Sequence, residues 1–304
     1  MAAKTPRLLS VSVSGGRTSG FMAWKIRQNE AEIKERLGVE DVLYLFANTG
    51  REHDDTLRFL NDLDSNFGLG LVWLEAVVHH GERKKSTHKV VSFDTARRAH
   101  SWRDYSTPFP QVIQKYGVPN RHWLLCTREL KMGPMHSYLR NLGEIPGVTH
   151  YSAIGIRADE KRRVSKRAGI DNIVYPLVDW WPTDKEDVLE WWSQFDWDLR
   201  IPEWMGNCIT CHKKSFKKLK AVYDEAPEAF AFNEKMEEEF GFVGAEFRKE
   251  PKRERPRAFF RLETDTKALV EACRATDSTN LEKYLTDGGC SESCEIYETE
   301  QMEV

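Results

Sequence analysis

The sequence predicts an α/β protein built on a doubly wound parallel sheet, with a helical C-terminal appendage. Three observations carry that expectation. Apolar runs alternate with helical spacings from Leu8 to Val78, which is the βαβαβ rhythm of a parallel sheet. The run from Val42 to Ala47 is continuous rather than alternating, as a strand covered on both faces requires. Glycine or short polar residues stand where the first two runs stop, at the strand ends where such sheets place their ligands.

The first strand, Leu8 to Val13, runs into Ser14-Gly15-Gly16-Arg17-Thr18-Ser19. Two adjacent glycines let the backbone approach an anion, and the first amides of the following helix face it with the positive end of the helix dipole behind them. Ser14 and Ser19 add hydroxyl donors, so all six residues are candidate phosphate-binding residues. No Gly-Lys-Ser/Thr closes the loop and its glycines are adjacent, so it is neither a Walker A loop nor a dinucleotide fingerprint. Phe21 to Leu37 reads as a helix ended by Gly38, and Val42 to Ala47 as the second strand. That strand stops at Asn48-Thr49-Gly50, where Asn48 and Thr49 either bind an adenine or ribose or close a turn. Asp54 to Phe67 carries Leu57, Leu60 and Leu63 at helical spacing, and Leu69 to Val78 is the third strand.

Residues 79–120 break the rhythm with basic, aromatic and proline-rich stretches, and read as an insertion near the site that acts as a mobile lid. The alternation resumes with Leu130 to Leu142 as a helix and with Val148 to Ile156 and Val174 to Val178 as strands. Asp184 to Phe195 is expected to be a helix with Thr183 as N-cap and Glu186 completing a capping box. Lys214 to Tyr223 and Pro227 to Phe240 look helical, and the tail from Leu281 is acidic. The expected division is a nucleotide-binding domain over residues 1–225 and a helical extension over 226–304.

The chain of 304 residues, 31% charged with a net charge of −3, can bury a full core and is not a general polycation. It contains no apolar stretch of about 20 residues, and Met1 to Arg7 has no apolar run of signal-peptide type behind it. A cytoplasmic protein without a membrane partner is expected. Six cysteines stand at 126, 208, 211, 273, 290 and 294, too sparse for a disulfide scaffold. Cys126, Cys208 and Cys211 come from two loops and can hold three irons of a four-iron four-sulfur cluster. A zinc ion or free thiols are the competing readings. Cys290 or Cys294 supplies a further ligand if the tail folds back, and Cys273 reads as a buried small hydrophobe.

Four further segments extend the glycine loop into a pattern. They are Phe46-Ala47-Asn48-Thr49-Gly50-Arg51-Glu52-His53, Gly155-Ile156-Arg157-Ala158-Asp159-Glu160-Lys161-Arg162-Arg163, Tyr175-Pro176-Leu177-Val178-Asp179-Trp180 and Gly206-Asn207-Cys208-Ile209-Thr210-Cys211. The glycine loop resembles the pyrophosphate-binding loop of the adenine nucleotide alpha-hydrolase superfamily, a HUP-like fold. All five segments together, in this order, resemble the phosphoadenosine phosphosulfate (PAPS) reductase family. The resemblance implies an adenine nucleotide on the loop, with Gly155 beside it and Arg157, Asp159, Glu160 and Arg163 as catalytic residues. Guanidinium forks suit phosphate or sulfate, and Asp159 and Glu160 either orient the arginines or help hold magnesium.

The chain lacks the serine-rich loop and the C-terminal cysteine segment of assimilatory PAPS reductases. It is more similar to reductase-like proteins of phages, mobile elements and DNA phosphorothioation systems, and its cysteine set is similar to that of iron-sulfur tRNA thiolases. The function so implied is ATP-dependent sulfur transfer. Expected cofactors are ATP, a 4Fe-4S cluster and magnesium; expected partners are DNA or tRNA as sulfur acceptor and a sulfur-donor protein. Reduction of a sulfonucleotide to sulfite, and a nucleotide-binding regulatory or anti-defence protein without turnover, are the alternatives. Basic residues Lys213, Lys214, Lys217 and Lys218 are the expected nucleic-acid face, while most of the tryptophans are expected in the core.

Overall fold

A computed structural model describes residues 6–99, 104–244, 254–260 and 264–276. Its centre is a six-stranded sheet formed by β1 (Leu8–Ser12), β2 (Asp41–Asn48), β3 (Val72–Val77), β4 (Thr87–Val91), β5 (His150–Ala153) and β6 (Ile173–Val174), in the order β4-β3-β2-β1-β5-β6. All neighbours are parallel except β3 and β4. β1 pairs with β2 on one side and β5 on the other, so the strand order reverses there and leaves a crevice at the strands' carboxyl ends.

Period-two side-chain direction divides the sheet residues between two faces. Leu9, Val11, Tyr44, Phe46 and Trp73 join the large core, which includes residues of α1 (Arg17–Gln28), α3 (Asp54–Phe67) and α7 (Lys185–Trp192). Leu8, Leu45, Ala47 and Leu74 face the other way, onto Met135 and Leu139 of α5 (Gly133–Asn141). The α/β class and the two-sided covering of the sheet thus agree with the sequence pattern. The aromatic residues mostly serve the large core: Trp24, Trp191, Trp192, Trp197, Phe59 and Phe67 pack at ring-centroid separations of 4.5–6.4 Å.

Several local expectations are corrected. The expected long first helix is broken at Asn29 into α1 and α2 (Glu30–Leu37), with Asn29 Nδ2 donating to Lys25 O at 2.8 Å. Val174 to Val178 is not a strand: pairing ends at Val174, and Pro176–Asp179 forms the short helix α6, with proline at a helix start where its missing N–H costs nothing. The N-cap of α7 is Asp184 rather than Thr183, and Asp187, not Glu186, completes the capping box.

The described residues of 79–120 pack onto the sheet and the large core. They add the antiparallel edge strand β4 and the helix α4 (Pro108–Tyr116), which buries Phe109, Val112 and Ile113 in the large core. Lys115 Nζ pins the turn before β4 by donating to the carbonyls of His79, Glu82 and Lys84. Beyond residue 225, after α8 (Phe216–Glu225), α9 (Ala231–Phe240) and α10 (Thr266–Ala275) place Phe232, Met236, Leu269 and Cys273 in the same core. Cys273 is buried as expected, and burial pushes its thiol up to about 11. Among the described residues, no helix is long and apolar enough to cross a membrane.

Candidate functional site

Two groups of residues lie at the carboxyl edge of the sheet. The first is the glycine cradle between β1 and α1. Gly15 has φ +84°, and a Cβ there would fall 2.5 Å from Thr56 Cγ2, so both conformation and space call for glycine. Gly16 is the N-cap of α1 with extended backbone, and no side chain caps the helix. Ser14 N donates to Ser19 Oγ at 3.1 Å, and Ser19 Oγ to Gly16 O at 2.9 Å, which folds the loop into a ring. The end of β5 presses against it: a Cβ on Gly155 would sit 3.2 Å from Ser19 Cα. The result is an uncapped helix start at the sheet's switch point, an arrangement that suits an anion.

The charged side chains around the cradle are already paired. Arg157 is buried, donates from Nη1 to Thr18 Oγ1 at 3.1 Å, and grips Asp159 with two hydrogen bonds of 2.9 and 3.0 Å. Arg163 bonds Glu160 at 2.9 Å. Arg17 reaches Asp198 through Nε at 2.9 Å and donates to Leu199 O, tying α1 to the segment after α7. Burial raises the Asp159 carboxyl, but the hydrogen bond and charge of Arg157 outweigh this and hold it below its ordinary value. Glu160 keeps Oε2 buried without a hydrogen bond, 3.6 Å from Arg157 Nη1. Thus the arginines brace the cradle through Asp159 and Glu160 rather than presenting open forks.

The second group is a small cavity lined by Cys126, Cys208 and Cys211, with Phe109, Phe232 and Phe259 among its apolar walls. Cys126 begins a π-helical stretch, Cys126–Met132, that leads into α5. Asn207, at φ 57°, turns the chain into Cys208, and Cys211 N donates to Cys208 O at 3.1 Å. Among the described residues, no three His, Cys, Asp or Glu side chains gather closely enough to hold a metal ion. The three cysteines instead share the wall of one space. Cys294 and Cys290 lie outside the described residues.

The turn 48–52 touches this cavity. Thr49 Oγ1 lies 3.5 Å from Cys208 Sγ and donates to Glu52 Oε1 at 2.7 Å, while Glu52 pairs with Cys208 in an isolated β-bridge. Asn48 is buried; its Nδ2 donates to Glu75 Oε1 at 2.7 Å and to Arg97 O, and its Oδ1 accepts from Gly50 N. Its amide is therefore committed to closing the strand end, while Thr49 faces the cysteines.

The expected lysine face is corrected. Lys214 and Lys218 are buried: Lys214 Nζ donates to the carbonyls of Trp204 and Ile209, and Lys218 Nζ to Glu203 Oε1. Lys213 and Lys217 are half-buried. Sequence reasoning also missed Arg51 and Lys131, both of which line the cysteine cavity. Arg51 stands inside the Asn48-to-His53 segment, but nothing in its sequence surroundings says where its side chain goes.

An α/β protein with a glycine cradle and a three-cysteine cavity on one sheet edge is the class that these features define. Over 297 residues the chain is 34% identical to the uncharacterized nin region protein ORF290 of Escherichia phage lambda, with 94% of each protein covered, and it belongs to the family of that phage protein. No family profile matches the chain. No solved structure matches it significantly.

Proposed function

We propose that this protein is an ATP-dependent sulfurtransferase of the PP-loop type, related in its nucleotide half to the PAPS reductase family. The observation that supports it most is the placement of the glycine cradle and the cysteine cavity on one carboxyl edge, with the turn 48–52 reaching the cysteines. In this reading the uncapped amides of α1 hold the ATP phosphates, while Ser14 and Ser19 keep the loop folded around them. An acceptor oxygen attacks the α-phosphorus, the bond to the β-phosphate oxygen breaks, and pyrophosphate leaves with the electron pair. The acceptor is thereby activated, since AMP is a better leaving group than the original oxygen. A sulfide-level sulfur nucleophile, supplied by the donor, then forms the new bond to the activated acceptor atom, and AMP leaves with the electron pair of the broken bond to oxygen.

Arg157 keeps Thr18 and the helix start in place as charge accumulates on the departing pyrophosphate. The buried, unbonded Glu160 Oε2 and the partly exposed Asp159 are oxygen ligands of the kind that magnesium takes. Cys126, Cys208 and Cys211 around one cavity fit a polynuclear iron-sulfur cluster better than a single zinc ion, whose sulfurs must converge at about 2.3 Å from the metal. When bound, such a cluster supplies a sulfur-binding iron. A nucleic acid, DNA or tRNA, is the proposed acceptor, and a sulfur-donor protein the proposed partner. With Lys214 and Lys218 turned inward, the phosphate contacts fall to residues such as Lys213 and Lys217.

The test is pyrophosphate release from ATP. Gly16 has φ −97° and ψ 158°, which any residue adopts, so Gly16→Val fills the space before the amides without straining the turn. Wild-type protein should release pyrophosphate in the presence of acceptor, and the folded variant should not. Sulfite release from a sulfonucleotide without pyrophosphate would instead identify reduction.

A further inference from the structure

The stretch that leaves β5 carries more positive charge than the cradle uses. From Arg157 to Ile170 it holds Arg157, Lys161, Arg162, Arg163, Lys166 and Arg167 against only Asp159 and Glu160. It begins at the cradle, where Arg157 bonds Thr18, and Ala158–Arg163 is a short tight helix in which residues three apart fall on one face. Arg157, Glu160 and Arg163 share that face and pair in a row at 3.6 and 2.9 Å, while Asp159 is held by Arg157. Both carboxylates are thereby spent on the inner arginines. Lys161, Arg162 and Lys166 are left on the outside: all three are exposed, and no described residue accepts a hydrogen bond from their side chains or forms an ion pair with them. Uncompensated cations gathered on a chain of net charge −3 mark the contact face of a polyanion.

The neighbouring segment supplies rings. Ala158 N donates to Thr183 O at 2.9 Å, which ties the start of the strip to the residues after α6, where Trp180 and Trp181 stand half-buried with ring centroids 5.7 Å apart. Each ring has a cation over it, the exposed Arg36 on Trp180 at 5.1 Å and Lys25 on Trp181 at 5.8 Å. Cations beside rings fit a strand that offers both phosphates and unstacked bases; a membrane surface offers charge without bases, and a duplex keeps its bases stacked on one another. We propose that Lys161, Arg162 and Lys166, with Trp180 and Trp181 beside them, form a track for single-stranded nucleic acid that leads to the glycine cradle. The track rests on the sulfur-transfer reading only for the role of the bound strand as acceptor, since the binding itself needs neither ATP nor the cysteines. Lys213 and Lys217 are half-buried, and their share of the contacts is the smaller one.

The experiment is fluorescence anisotropy on the full chain without ATP, with a labelled single strand of about 20 nucleotides as the probe and KCl as the variable. Wild-type protein should bind it. The triple variant Lys161→Gln, Arg162→Gln and Lys166→Gln changes only exposed side chains; it should bind roughly a hundredfold more weakly at about 0.1 M KCl, and its slope of log affinity against log salt should be shallower by about 2, the loss of three single-strand phosphate contacts. A duplex of the same sequence and an abasic strand should each bind at least about fivefold more weakly than the probe, and phosphatidylglycerol vesicles should not displace it. No binding by the wild type, an unchanged slope in the triple variant, equal binding of the duplex or the abasic strand, or displacement by the vesicles would overturn the track. An equal loss in Lys213→Gln with Lys217→Gln would overturn it too, by placing the main contacts elsewhere. Pyrophosphate release is measured separately: if it fails while the strand binds as stated, the sulfur-transfer reading falls and the track stands as a nucleic-acid site.

Discussion

The glycine cradle and the cysteine cavity share a sheet edge but are built on opposite principles. Around the cradle, side chains satisfy one another: Ser14 with Ser19, Arg17 with Asp198, Arg157 with Asp159 and Thr18. What is left for a ligand is backbone. Around the cavity, Arg51 and the apolar rings face space, and the ligand would be held by side chains drawn from distant segments. The cradle should therefore be costly to mutate for folding, and the cavity costly mainly for binding.

Arg157→Met should show the largest loss of stability, about 3 kcal/mol, because it strands Asp159, Glu160 and the buried Thr18 hydroxyl. Urea unfolding would measure it, and a loss below about 1 kcal/mol would mean that the cradle is less interlocked than its bonds imply. Gly15→Ala should follow at about 2 kcal/mol, from the left-handed backbone and the contact with Thr56.

The cavity side has its own pH signature. Burial pushes the Glu237 carboxyl up to about 7, against hydrogen bonds from the backbone N–H groups of Phe259 and Thr266. With the folded value above the ordinary 4.5, the proton is bound more tightly in the folded chain. The associated stability is complete below 4.5 and is lost as pH rises through 7. Thermal melts across that window should fall with rising pH in wild type and be flatter in Glu237→Gln; parallel curves would show that Glu237 does not couple. The smallest stability effect is expected for Cys208→Ser, below about 1 kcal/mol, because the thiol faces the cavity. Yet it should abolish iron retention in anaerobically purified protein, as measured by iron analysis and visible absorption.

The same contrast explains what could be read in the chain. The cradle is local: strand, two glycines and helix start are contiguous from Leu8 to Gln28, and the pattern placed them correctly. The three cysteines were legible as a set because two are three residues apart in a turn and the third opens a helix. Arg51, Lys131, Phe232 and Phe259 were not, since a cavity assembled from segments over 200 residues apart leaves no spacing to recognise. Lys214 and Lys218 misled for another physical reason. A run of lysines reads as a solvated face, but long side chains bury their stems and find carbonyl or carboxylate partners inside. Similarly, the edge strand β4 sits in polar sequence, Thr87-His88-Lys89, because an antiparallel edge needs no continuous apolar run.

One bond beneath the cradle has a practical side. Trp192 is fully buried, and its indole Nε1 donates to the carbonyl of Arg17, the first residue of α1, at 2.9 Å. A chromophore is thus wired to the floor of the glycine loop. A phosphate drawing on the helix start would change the polarisation of that peptide group, and the intrinsic ultraviolet emission of the protein would report it without any label.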